Sequence, residues 1–297
     1  MWMTQAASVD CFKRKGVATQ MIRLAGKPVA DLCREAIKTQ AEEITRTEGP
    51  IVLAIILVGD DPASHVYKDR LTKLATSIGI VTKVMLLPAE TTQQQLLTTI
   101  YALNADDNLQ GILPMMPLPK GLDGAAIGAA IAVEKDVDCL NPANAGAVSL
   151  GQSPWAPCTP RAAMAILNHY GVELAGKHAV VVGRSNVVGK PMAMLLLAAN
   201  ATVTICHSRT PDLGAMTKTA DILVAAAGVP RLIKPDMVKP GAVVVDVGIH
   251  EENGTLIGDV DSGVADVASA LTPVPGGVGT VSSMMVMQRL VMGCKGR

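Results

Sequence analysis

The residues best suited to chemistry stand in one run: Val180-Val181-Val182, followed by Gly183-Arg184-Ser185-Asn186-Val187-Val188-Gly189-Lys190-Pro191. A β-prone run feeding a glycine turn, with a helix opening after it, aims backbone amides and the positive end of a helix dipole at one point, as binding a pyrophosphate requires. Gly183, Arg184, Ser185, Val188 and Gly189 are the candidate contacts. The spacing departs from GxGxxG, so the turn alone also reads as a purely structural one. The next strand says more. NAD readers end it in Asp or Glu, about 20 residues past the turn, to bind the ribose hydroxyls. Here it ends Cys206-His207-Ser208-Arg209, with no carboxylate. His207, Ser208 and Arg184 can all hold a 2′-phosphate, which favours NADP over NAD. The alternative reading leaves Ser208 and Arg209 merely solvating a strand end.

The elements that would position this turn follow from hydrophobic runs. Ile51 to Val58 is a continuous apolar run stopped by Gly59-Asp60-Asp61-Pro62, as a strand buried on both faces would be. A helix is expected over Ala63–Ser77, a strand over Ile80–Leu87, a helix through Leu96 and Ile100 opened by a Thr91/Gln94 capping box, and a strand at Gly111–Leu113. The alternation restarts with helix Pro160–Tyr170, strand His178–Val182, helix Lys190–Ala199, and strands Ala201–Cys206, Ile222–Ala226 and Ala242–Val247. This pattern implies two α/β domains with mostly parallel sheets, the second Rossmann-like, joined through the Pro- and Gly-rich stretch Gly146–Pro160.

Composition removes other classes. With 297 residues, 49% hydrophobic and 18% charged, the chain is long enough for two packed domains. Its apolar runs fall short of the roughly 18 to 20 residues of a membrane span. Lysine and arginine balance aspartate and glutamate at 26 each, and aromatics are 2%, so neither a basic footprint nor stacking platforms for nucleic acid are present. Six scattered cysteines without CxxC spacing read as reduced thiols in a cytoplasm rather than disulfides or a metal site. Residues 1–20 look like an appendage, and Met21 is a plausible translation start.

Several segments together resemble the methylenetetrahydrofolate dehydrogenase/cyclohydrolase family, the FolD type of bacteria. They are Val58-Gly59-Asp60-Asp61-Pro62-Ala63-Ser64 with Tyr67, Gly111-Ile112-Leu113 with Pro117-Leu118-Pro119, Lys135-Asp136-Val137-Asp138, Pro157-Cys158-Thr159-Pro160, the glycine turn, His207-Ser208, Asp246-Val247-Gly248-Ile249 and Thr272-Pro273-Val274-Pro275-Gly276-Gly277-Val278-Gly279. Their order and spacing match from about Met21 onward. The resemblance implies a homodimer and a folate cleft between the domains. It expects an N-terminal extension at 1–20, a folate-binding catalytic domain at 21–155, an NADP-binding domain at 156–285, and a helix end at 286–297 returning to the first domain. It gives Tyr67 the role of stacking on folate and Asp138 that of anchoring the pterin, with Ser64, Pro275, Gly276 and Gly277 as further substrate contacts and Ile249 as a cofactor contact. A core aromatic and a turn cap are the plain alternatives for Tyr67 and Asp138.

The chain departs from that family in one place that bears on chemistry. The family carries a lysine four residues after the tyrosine, which activates or orients the water that hydrolyses the methenyl group. Here Leu71 stands there, and leucine neither donates nor accepts a hydrogen bond. On a regular helix Lys68 and Lys73 lie about 60° and 160° from that face. The family's Val-Gln-Leu-Pro, whose glutamine tunes the lysine, reads Pro114-Met115-Met116-Pro117, so an apolar pair replaces a polar one. Cys139 and Thr280 replace a glycine and a proline.

The expected activity is therefore NADP-dependent oxidation of 5,10-methylenetetrahydrofolate to the methenyl form, with weak or absent cyclohydrolase and no metal. Hydride transfer depends chiefly on alignment and can survive loss of the lysine. Two alternatives remain open: a diverged NADP-binding paralogue with another substrate, and a non-catalytic folate- or dinucleotide-binding dimer partner. The intact glycine turn weighs against a pure folate binder.

Overall fold

The computed structural model describes residues 21–153 and 155–294. The proposed appendage at 1–20 and the last three residues lie outside them. In chain order the elements are β1 (Ile22–Arg23), α1 (Gly26–Glu48), β2 (Val52–Val58), α2 (Pro62–Ser77), β3 (Val81–Leu87), α3 (Gln93–Asn104), β4 (Gly111–Pro114), α4 (Gly124–Ala130) and α5 (Pro142–Ser149). They continue with α6 (Cys158–His169), β5 (His178–Val182), α7 (Gly189–Ala198), β6 (Thr202–Cys206), α8 (Leu213–Thr217), β7 (Ile222–Ala225), β8 (Val243–Asp246), β9 (His250–Glu252), β10 (Thr255–Ile257), β11 (Ala270–Leu271) and α9 (Val278–Cys294). The described chain divides into two compact units, residues 21–31 with 159–282 and residues 32–158 with 283–294.

The first unit is built on a parallel sheet of order β1-β11-β8-β7-β5-β6. The central strands β5, β7 and β8 are apolar on both faces, because helices and loops cover both sides of a parallel sheet. Val180, Val182, Leu223, Ala225 and Val244 lead its core, with Ile233 and Val264 closing one face. The carboxyl ends of β5, β7 and β8 lie side by side, so the loops after Val182, Ala225 and Asp246 are neighbours.

The second unit holds a parallel three-stranded sheet, β3-β2-β4. Strand β2 is central and almost wholly buried, while the edge strand β3 alternates and leaves Val81, Val84 and Leu86 exposed. Ile56, Leu96, Ile100, Ile112 and Ile127 form the core. The stretch of α9 in this unit is buried along most of its length: Met285, Met287 and Val291 are fully buried, and even Arg289 is only 7% exposed.

Two local expectations change. The capping box of α3 is Thr92 with Gln95, one residue later than expected. Thr92 Oγ1 accepts from Gln95 N at 3.3 Å, and Gln95 Oε1 accepts from Thr92 N at 2.8 Å. Thr91 is drawn into the preceding turn, where its hydroxyl donates to Pro88 O at 2.6 Å. The connection expected from Gly146 is also shorter, because Asn141 caps and Pro142 opens helix α5 through Ser149.

Candidate functional site

In the first unit, β5 delivers Gly183 with φ 132°, a conformation open to glycine. A Cβ on Gly183 would collide with the carbonyl of Ala226 after β7, and one on Gly189 would collide with the Gly183 backbone. Helix α7 thus starts pressed against the strand end, and neither end of the turn, Gly183 or Gly189, has room for a side chain. Ser185 Oγ accepts from Val188 N at 3.1 Å and Gly189 N at 3.3 Å, holding the loop shut against the helix. Arg184 and Ser185 are exposed.

At the end of β6, His207 Nδ1 accepts from Arg209 N at 3.1 Å, which leaves Nε2 as the ring's remaining polar atom. Ser208 and Arg209 are exposed and no carboxylate is present. Because β6 pairs with β5 in register up to Val182–Cys206, the glycine turn and His207-Ser208 lie at the same end of adjacent strands. The donor set fits a dinucleotide with a phosphorylated ribose: a turn whose two end glycines admit no side chain, then hydroxyl, imidazole and guanidinium where an NAD reader carries an acid. Ile249 projects from the loop after β8 and is 57% exposed. Pro275, Gly276 and Gly277 also belong to this unit; Gly276 O accepts from Gly26 N at 2.8 Å and ties the segment to the start of α1.

The second unit gathers Ser64, Tyr67 and Asp138. Asp61 caps α2 and its carboxylate accepts from both Ser64 N (2.8 Å) and Ser64 Oγ (2.7 Å), bonds that hold Asp61 below its ordinary pKa. The Ser64 hydroxyl is therefore engaged as a donor and keeps only accepting capacity. One turn on, burial pushes the Tyr67 phenol up to about 12, reinforced by the charge of Asp138 and then by Cys158. One Asp138 oxygen accepts from Cys158 N at 2.7 Å. Tyr67, Asp138 and Cys158 thus share one microenvironment, and the hydroxyl of Ser283 on α9 also acts on the phenol.

The remaining acid and base of Lys135-Asp136-Val137-Asp138 are structural. Lys135 Nζ donates to the carbonyls of Leu103, Asn104 and Asp106 at 2.7 to 3.2 Å, closing the end of α3. Asp136, fully buried, accepts from Leu140 N, Asn141 N and the Asn144 side chain.

Leu71 is fully buried and Met115 is 6% exposed. Lys68 is paired with Asp69 at 2.8 Å, and Lys73 is exposed. Cys139 has φ 54°, the left-handed region that favours glycine, the residue the resemblance expects there. Among the described residues no cluster of His, Cys, Asp or Glu is arranged to hold a metal, and no helix is long and apolar enough to cross a membrane.

Residues 24–138 match the model of the tetrahydrofolate dehydrogenase/cyclohydrolase catalytic domain, and residues 157–297 that of its NAD(P)-binding domain. "Bifunctional protein FolD 2" of Desulfitobacterium hafniense (strain Y51) is 47% identical over 91% of this chain and 95% of its own length. The chain belongs to the tetrahydrofolate dehydrogenase/cyclohydrolase family. Among solved structures, the FolD methylenetetrahydrofolate dehydrogenase/cyclohydrolase of Campylobacter jejuni is 42% identical, with a TM-score of 0.89 over 93% of this chain and 99% of that one. The Trypanosoma brucei methylenetetrahydrofolate dehydrogenase-cyclohydrolase, solved with NADP cofactor and inhibitor, is 33% identical, with a TM-score of 0.87 over 93% of this chain and 97% of that one.

Family membership left one group without an assignment. Asp246, Asp259 and His250 form a connected polar cluster in the first unit. Asp246 lies in a segment that resembles the family, but no sequence spacing pointed to Asp259 or His250 as its partners. They are joined only because the chain doubles back through β9 and β10.

Proposed function

We propose that this chain oxidises 5,10-methylenetetrahydrofolate to 5,10-methenyltetrahydrofolate with NADP, the dehydrogenase activity of its family. The observation that carries this reading is the fit of Gly183, Gly189 and Ala226, which leaves no room for a side chain where the turn meets the helix. Gly183, Arg184, Ser185, Val188 and Gly189 hold the phosphates; Arg184, His207 and Ser208 hold the 2′-phosphate; Ile249 offers an apolar contact. Bound NADP supplies the hydride acceptor. The methylene carbon gives up hydrogen with its electron pair and becomes the methenyl cation, so the reaction depends on alignment rather than proton transfer.

On the folate side, Tyr67 offers its ring face and stays protonated at neutral pH, with its phenol at about 12. Asp138, with one oxygen held by Cys158 N, accepts the pterin's N–H donors. Ser64, Pro275, Gly276 and Gly277 complete the substrate contacts. Two chains associate as a homodimer, a reading supported by the exposed Val81, Val84 and Leu86 on edge strand β3. The protein works in the cytoplasm, as its scattered cysteines suggest.

Hydrolysis of the methenyl group is weak or absent. Attack by water needs a group that takes or shares its proton. Leu71 and Met115 supply none, and Lys68 is engaged by Asp69. The test is one preparation and two assays. NADPH should form from methylenetetrahydrofolate and NADP, while methenyltetrahydrofolate should disappear at close to the buffer rate. No NADPH formation overturns the dehydrogenase reading; protein-dependent methenyl loss more than about tenfold above buffer overturns the hydrolysis reading.

A further inference from the structure

Three loops lie side by side at the carboxyl ends of β5, β7 and β8, and one buried carboxylate joins two of them. Asp259 is fully buried, and its Oδ2 accepts from Ala227 N at 2.7 Å and Gly228 N at 2.9 Å, in the loop after β7. That loop begins at Ala226, whose carbonyl abuts the Gly183 α-carbon. The other oxygen of Asp259, Oδ1, meets His250 Nε2 at 2.8 Å. His250 follows Ile249 directly and opens β9.

The cluster is braced from both sides. Asp246, at the end of β8, accepts from Gly248 N at 3.0 Å, Asp259 N at 2.9 Å and Val260 N at 3.0 Å. The Asp259 carboxylate sits on the α-carbon of Gly248 and the Asp246 carboxylate on that of Gly258, so closely that neither position admits a Cβ. At the far end of the hairpin, Glu252 pairs with Arg231. His250 is the one imidazole in this network and its side chain is 21% exposed, so the network ends at the surface with a replaceable donor.

We propose that His250 is a positioning residue for the dinucleotide: through Asp259 it fixes the backbone of Ala227 and Gly228 against the glycine turn and holds the Gly248-Ile249 turn beside them. The inference rests on the reading of Gly183–Gly189 as the cofactor cradle. It extends that reading to a side chain that touches no part of the cradle. Removing the imidazole deprives a buried carboxylate oxygen of its donor and frees the loop that carries Ile249. The effect falls on dinucleotide affinity, because the bonds of Asp259 run to His250, Ala227, Gly228 and Asp246, none of them assigned to folate.

The experiment compares the wild type, His250→Ala and His250→Gln, since glutamine can place an N–H where Nε2 stands. NADP affinity is measured by calorimetry, amide exchange is followed at Ala227 and Gly228, and KM for methylenetetrahydrofolate is measured separately. His250→Ala is expected to weaken NADP about tenfold, the scale of one hydrogen bond to a charged group. It should also speed exchange at both amides and leave the folate KM within about twofold. His250→Gln should restore affinity and protection. If His250→Ala does not fold, His250→Asn, whose amide falls short of Asp259, replaces it under the same thresholds. An affinity loss under about twofold, a glutamine variant no better than alanine, or an equal rise in folate KM overturns the inference alone. A wild type that binds no NADP overturns the cradle reading as well.

Discussion

Each unit contains a strand that ends in Val-Gly and turns into a helix, and the two turns have opposite chemistry. Val58-Gly59-Asp60-Asp61 leads into α2, where Asp61 caps the helix with its own carboxylate and binds both the amide and the hydroxyl of Ser64. Val182-Gly183-Arg184-Ser185 leads into α7, where Val188 provides no side-chain cap and the neutral hydroxyl of Ser185 takes the first amides. A carboxylate at a helix N-terminus occupies the place a phosphate would take and repels it. A hydroxyl beside an arginine invites one. A glycine after a strand is thus no sign of a nucleotide site by itself; what closes the helix decides. In the proposed reading one turn serves to aim Tyr67 and the other receives the dinucleotide.

The contrast is broken most severely at Gly189. A Cβ there meets the Gly183 carbonyl and the Arg184 amide, backbone atoms that cannot yield without opening the turn. Gly189→Ala should weaken NADP by at least about 100-fold, or about 2.7 kcal/mol, as read by calorimetry. A loss under threefold would mean that the turn is structural and that both glycine turns serve only the fold.

The same unit carries the next largest effect, in its pH response. Burial, with the neighbouring charge of Asp259 adding to it and backbone donors opposing it, raises Asp246 from 3.8 to about 6. Its folded pKa lies above the unfolded one, so the stability it contributes is fully present below about pH 4 and is lost as pH rises through about 6. The unfolding free energy of the wild type relative to Asp246→Asn should therefore shrink by up to about 3 kcal/mol between pH 4 and pH 7 in urea titrations. A difference that is flat or grows across that window would show Asp246 ionised throughout, held by its three backbone donors.

Much of this was legible in the chain, and the exceptions share a cause. His178–Val182 is legible to the residue, because a short apolar run between turn signals admits few registers. Strand β2 is legible to within one residue for the same reason. The cap of α3 falls one residue later than the first match because Thr91-Thr92-Gln93-Gln94-Gln95 satisfies the box pattern twice, and the bond of Thr91 to Pro88 O selects the second. Strands β1 and β11, two residues each, exist through pairing with each other and with β8 and carry no periodicity of their own. Of the proposed cofactor site, Gly183, Ser185 and the acid-free end of β6 are legible because strand, turn and helix are contiguous. Asp259 and His250 are not, since their meeting depends on a hairpin that returns nine residues later.

Restoring the polar pair on the folate side tests the other half of the comparison. Leu71 is fully buried and Met115 nearly so, so Leu71→Lys alone puts an amine into an apolar site and should lower stability. Adding Met115→Gln supplies a partner and should recover part of that loss. If the scaffold is otherwise intact, the double variant gains methenyl hydrolysis of about tenfold or more over the parent, with NADP affinity unchanged. A double variant that folds, stays stable and hydrolyses no faster would overturn the proposal that Leu71 and Met115 set the level of hydrolysis.

The smallest effects separate capping from binding. Thr92→Ala removes the box that opens α3 and should cost about 1 kcal/mol, with NADP affinity untouched. Ser185→Ala removes an acceptor from two amides at the start of α7 and should cost a similar amount, but here the same oxygen is also a proposed phosphate contact. Its signature is a loss of NADP affinity of about tenfold on top of the stability loss. Calorimetry on both variants, beside urea unfolding, distinguishes the cases. If Ser185→Ala loses stability and keeps its affinity, Ser185 is a cap like Thr92, and the difference between the two Val-Gly turns reduces to the opposite charges of Asp61 and Arg184.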